Sequence, residues 1–272
     1  MNMDSFWIAW AAALAYCAST ALLLRRAGRL LRGQSAGKKS ALTLATVGFV
    51  LHTALLSPIL AHDPLRLGLT EAVLLIGWQT ALLLLLAAAR APLENLGLLL
   101  FPLLAISTLI HHPGTTTGPE LALRGPVELH VLTAIVAYSL VVLAGAQAAL
   151  LMVQNRLLHH HRTRGLLLIF PPLQTMERLL FQLIGLAFFM LSLALLSGFF
   201  FVDNLFAQHL VHKTVLSIAA WAILGMLLWG HYRFGWRGKV AVRWTLSGGA
   251  MLTLGYFGSK FVLEALLGRQ WG

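Results

Sequence analysis

The sequence predicts an all-α membrane protein: a polytopic bundle of about eight transmembrane helices with both termini on the outer side. Three observations carry this expectation. Hydrophobic residues fill 58% of the 272 positions and charged residues only 11%, against about 25% charged in soluble domains. Eight apolar runs occupy most of the chain, and about 20 apolar residues of helix cross a hydrocarbon core about 30 Å thick. Finally, 15 of the 20 Lys and Arg residues lie in alternate loops, the distribution that orients membrane helices with basic loops inside.

The runs are 6–24, 41–61, 71–89, 97–110, 129–152, 178–200, 213–232 and 244–267. The first follows MNMDS, which lacks the basic start of a signal peptide, and no small-residue cleavage site succeeds it, so it reads as a retained helix. Arg25, Arg26, Arg29, Arg32, Lys38 and Lys39 separate it from the second run. Arg90 follows the third, which opens at Glu71. The fourth, GLLLFPLLAISTLI, is short and contains Pro102; it is either a tilted span or a re-entrant piece. Arg156, Arg162, Arg164 and Arg178 lie between the fifth and sixth, and Arg233, Arg237, Lys239 and Arg243 between the seventh and eighth. These loops are expected inside. The outer loops are short, so the whole chain, 1–272, reads as one integral-membrane domain whose work is done in the bundle or at its outer rim.

Composition also excludes. The net charge of +11 is explained by loop placement and does not point to nucleic acid. The single cysteine, Cys17, excludes an internal disulfide and a cysteine-rich metal centre. There is no Walker loop and no dinucleotide-binding glycine pattern. No convincing internal repeat supports a transporter built from inverted halves.

The chemistry that remains is imidazole. Histidines in membrane spans are costly and face the bundle interior or a cavity. HHH at 159–161 sits in a basic loop, and His62, His111 and His112 in outer loops, where solvated surface roles suffice. His52 lies near the middle of the second run, with Thr53 and Ser57 as its close polar neighbours. It is either a buried, hydrogen-bonded residue or an axial ligand or proton carrier. His130 begins the fifth run, and His209 and His212 begin the seventh; on helical backbone, residues three apart share a side. Imidazoles at the outer ends of two helices suit a haem held between them. They would also suit zinc or copper, although zinc gathers three or four ligands tightly. Phe199, Phe200, Phe201 and Phe206 would either wall such a site or belong to an aromatic belt. Lys260 and Glu264, four apart, are expected to pair.

Four stretches resemble the cytochrome c assembly protein family, the haem handlers of the CcsA, CcmC and HemX type, and in particular its short bacterial inner-membrane branch. GFVLHTALL around His52 is similar to the family's early membrane-histidine element, and TEAVLLIGWQ to the acidic-aromatic helix start that follows. ELHVLTAIVAYSLVVLAGAQAAL resembles its outer-face histidine helix. HKTVLSIAAWAILGMLLWGHYRFGWRGKVAVRW, which contains His231, resembles the closing part. The resemblance implies a multi-pass inner-membrane protein that binds haem and presents it at the outer face. The protein itself would perform no covalent chemistry, and its partners would be the bilayer, haem and other cytochrome c maturation proteins.

By the same resemblance His130 is an outer ligand, while His52 and His231 match a membrane histidine pair whose depths here differ by about 14 Å at 1.5 Å per residue. Two family features are absent. VDNLFAQHLVHKTV stands where the tryptophan-rich loop is expected, and LEALLGRQWG contains no second outer histidine. His209 or His212 would have to substitute. The competing readings are a non-haem accessory protein that keeps the fold, and a small-molecule or ion transporter with His52 and Glu71 on its path.

Overall fold

The computed structural model describes residues 3–61, 65–66, 69–110, 120–121, 126–159, 169–201 and 211–258. Eight α-helices account for nearly all of them: α1 (Met3–Leu31), α2 (Lys39–Leu60), α3 (Leu69–Arg90), α4 (Gly97–Ile110), α5 (Pro126–His159), α6 (Leu173–Phe201), α7 (Val211–Phe234) and α8 (Lys239–Thr253). A 3-10 turn, Glu94–Leu96, leads into α4, and a π-helical turn, Leu254–Gly258, continues α8. Leu65–Arg66 and Glu120–Leu121 are two-residue extended stretches. Each helix falls on an apolar run of the sequence. All but α4 and α8 are long and apolar enough to cross a membrane. The eighth predicted run continues to 267, beyond the described residues.

The contacts divide the chain into two compact units, one of residues 1–117 and 153–175, the other of 118–152 and 176–272. In the first, α1 packs on α2 and α4. The buried positions of α1 include Ala9, Ala12, Ala13, Tyr16, Ser19 and Leu23, and those of α2 are Ala41, Ala45, Gly48, His52, Leu55, Leu56 and Ile59. Both sets recur every three or four residues, one stripe per helix. The stripes are rich in Ala and Gly because lipid supplies no hydrophobic drive between helices, so close backbone approach and dispersion hold them together. Large apolar side chains such as Trp7, Leu14, Val50, Phe189, Phe199 and Phe200 point outward. In water this would be an aggregating surface; in a bilayer it is the lipid-facing one.

One end of this first unit is fastened by charge. Glu94, 6% exposed, receives Arg26 at 3.2 Å and Lys38 at 3.3 Å. Lys38 also donates to the Ala88 carbonyl at 2.7 Å and Arg26 to that of Ala36 at 3.1 Å, while Asn95 donates to Ile169 at 2.9 Å. Five segments are therefore tied together around this buried carboxylate, which itself contacts Arg26 and Lys38. The chain can turn back there because α1 ends on Gly33 at φ +71°, with Gln34 N–H bonded to Arg29 O and Gly33 N–H to Leu30 O, a left-handed cap that glycine adopts without strain.

In the second unit the helices run antiparallel. Residues 192, 188 and 181 of α6 meet 221, 225 and 231 of α7, in reversed order. Likewise residues 194 and 176 of α6 meet 130 and 147 of α5. The first turns of α5 and α7 therefore lie at the same end as the last turns of α6.

Candidate functional site

That shared end holds the most distinctive imidazole. His130 is half-buried in the first turns of α5. Its Nδ1 lies 2.9 Å from the Ala194 carbonyl oxygen and 3.2 Å from Ser197 Oγ, both on α6. Ser197, itself buried, donates its own proton to the Ala194 carbonyl at 3.0 Å. A carbonyl oxygen has no proton to offer and the serine has spent its own, so Nδ1 carries the hydrogen and faces two acceptors. The lone pair is then left on Nε2. A metal-bound histidine has this form: one ring N–H held by a carbonyl, the other nitrogen available. Gly198 makes room for the ring, since a Cβ there would sit 3.0 Å from Cε1 and 3.3 Å from Nδ1 of His130.

His212 stands exposed in the first turn of α7. Following the α6–α7 ladder at 1.5 Å per residue puts its backbone about 9 Å further toward that end than His130, so the two share an end of the unit without being level. His209 and Phe206 lie outside the described residues, as do Lys260 and Glu264. Beside His212, the Lys213 ammonium lies 5.7 Å from the Tyr256 ring centre. Tyr138, on α5, donates to Thr253 Oγ1 at 3.0 Å.

His231 occupies the other end of the same unit, about 20 Å from His130 along α6 at 1.5 Å per residue. Its ring stacks on Phe181 with centres 3.5 Å apart, and its Nδ1 donates to the Trp236 carbonyl at 2.9 Å. These contacts fasten the end of α7 to α6 and to the turn before α8, in which Gly235 has φ +68°.

His52 belongs to the first unit and is fully buried. Its Nε2 donates to the Leu74 carbonyl at 3.1 Å, and its Nδ1 accepts from the Tyr16 hydroxyl at 3.3 Å. Both nitrogens through which an imidazole binds iron are thus engaged by the protein. Tyr16 is also fully buried and stacks on Phe101, with centres 5.9 Å apart. Trp78 donates to Thr53 at 2.8 Å, and Glu71 is 1% exposed at the start of α3.

The histidines are evident in the sequence, but the groups that hold them are not. Ser197 and Gly198 sit in the apolar stretch SGFFF, and their link to His130 spans 67 positions, so no local pattern discloses it. Glu94 carried a signal that was available: it is the one acidic residue between Arg90 and the apolar run of α4. Among the described residues, no group of three or more His, Cys, Asp or Glu side chains is arranged to hold a metal ion.

Comparison with known proteins identifies the family. The family model described as "Cytochrome C assembly protein" matches residues 7–267. The Inner membrane protein YpjD of Escherichia coli K12 is 29% identical over 265 residues, covering 94% of this chain and 97% of that protein. A 28.8 kDa protein of Azospirillum brasilense, named for a nifR3-like 5' region, is 33% identical over 144 residues, 52% of this chain and 53% of that one. No solved structure matches.

Proposed function

The chain belongs to the cytochrome c assembly protein family, and we propose that it is a multi-pass protein of the bacterial inner membrane that binds haem and presents it at the outer face. The observation that carries this reading is the state of His130: its Nδ1–H is held by Ala194 and Ser197, and its Nε2 is left as the nitrogen for iron. When bound, the haem supplies the iron and the macrocycle. The chain's part is to hold and orient that group with His130 and with His209 or His212. Eight spans with both termini outside follow from the alternation of basic loops, and put the starts of α5 and α7 on the outer side. The partners under this reading are the bilayer, haem and other cytochrome c maturation proteins.

His52 and His231 take a different role in this proposal. Each is a joint between elements, with partners that fix its ring. The direct test is the visible spectrum of the full-length protein purified from haem-replete cells. A Soret band is expected. A colourless, well-folded protein would refute haem binding and support the non-haem accessory role, which the absence of a tryptophan-rich outer loop favours.

A further inference from the structure

We propose that Ser197 is a positioning residue: with the Ala194 carbonyl it holds His130 in the Nδ1–H tautomer and thereby aims Nε2 at the iron. This rests on the haem reading above but makes a claim about the protein alone. Free imidazole has two neutral tautomers, and only one nitrogen can serve as a ligand in each. A histidine whose tautomer and ring angle are undecided must settle both when it binds.

On α6 the carbonyl of Ala194 and the hydroxyl of Ser197 converge on one nitrogen, at 2.9 and 3.2 Å. The hydroxyl is oriented by its own bond to Ala194 at 3.0 Å. It therefore turns a lone pair toward Nδ1 and penalises the tautomer that would do the same. A carbonyl alone leaves the ring free to swivel about a single contact. Two acceptors one helical turn apart fix its plane as well. Gly198 completes the device, since any side chain there would press on the ring edge nearest these contacts. The neighbouring sequence Ser197–Gly198 is thus a matched pair, an acceptor beside a gap.

The residue acts through His130 and touches no substrate, so its test needs a readout beyond activity. Histidine-labelled full-length protein, reconstituted without haem in nanodiscs, is compared with His130→Gln by nitrogen NMR to assign the His130 signals. The measurement is made at alkaline pH, where imidazoles are neutral. The wild type is expected to be protonated at Nδ1. Ser197→Ala is expected to populate the Nε2–H tautomer measurably, and Ser197→Thr, which keeps the hydroxyl, to restore the wild-type signal. In haem titrations Ser197→Ala is expected to weaken binding by about 10-fold, the lower end of what losing such an outer partner does at metal sites, with Ser197→Thr near wild type. Gly198→Ala keeps the hydroxyl but displaces the ring, and should weaken binding in the same sense.

A wild-type His130 protonated at Nε2 would overturn the proposal. So would a Ser197→Ala protein with both the tautomer and the haem affinity of the wild type. If the wild type shows the Nδ1–H tautomer and its response to Ser197→Ala but takes up no haem, the positioning device stands and the haem reading falls.

Discussion

The bond between Tyr16 and His52 offers a quantitative check on the interior of the first unit. Tyr16→Phe deletes a hydroxyl that donates to His52 Nδ1 at 3.3 Å between two fully buried rings. Hydrogen bonds between membrane helices average about 0.6 kcal/mol and reach about 1.7, and a buried polar group deprived of a partner costs about 1–3 kcal/mol. The expected loss is about 1–2 kcal/mol. His52→Leu keeps much of the volume but removes both ring bonds and strands the Tyr16 hydroxyl, so about 2–3 kcal/mol is expected. The double variant strands neither group. Its loss should fall short of the sum of the single losses by about 1 kcal/mol. Reversible unfolding by denaturing detergent in mixed micelles gives all four stabilities. Independent sites add to within about 0.5 kcal/mol, so additive losses would refute the coupling. Haem content per folded protein should be unchanged in Tyr16→Phe; its loss there would mean that His52 serves the cofactor.

Glu94→Gln should destabilise the first unit by about 2 kcal/mol, below the 3–5 kcal/mol of a fully buried pair, because Arg26 and Lys38 are 17% and 33% exposed; thermal unfolding in detergent measures it. His231→Phe should keep the stack on Phe181 while losing the bond to Trp236, at a cost of about 1 kcal/mol, and leave haem content unchanged. In a Cys17→Ser background, a cysteine at position 115 should be labelled from outside intact cells and one at 160 only after permeabilisation. The opposite pattern would reverse the proposed orientation.

The fold was largely legible because lipid imposes a coarse rule: an apolar run of sufficient length must be a helix, since every backbone group needs an internal partner. That rule found all eight α-helices among the described residues, including the short α4 with Pro102. It did not find that α1 continues through Arg25, Arg26 and Arg29 to Leu31, because hydropathy ends where the residues turn basic and helical propensity does not. The candidate site was legible only as residue types. A histidine in an apolar run signals burial or chemistry without distinguishing them. His52 and His130 differ by their partners, and those partners, Tyr16 and Leu74 for one and Ala194 and Ser197 for the other, lie far away in sequence. The relative depth of His130 and His212 was legible in part: both stand near helix starts, which the structure brings to one end of the second unit, but the ladder between α6 and α7 was needed to separate them.

The most direct test of the central claim is imidazole rescue at position 130. Wild-type, His130→Gly and His52→Leu proteins are purified from haem-replete cells, and bound haem is quantified per folded protein with and without added imidazole. His130→Gly is expected to lose most of its haem and to regain a Soret band when imidazole enters the space the side chain left. His52→Leu is expected to retain the wild-type band. A His130→Gly protein with undiminished haem, or a His52→Leu protein that folds but is colourless, would contradict the assignment of His130 Nε2 as the nitrogen that holds the iron.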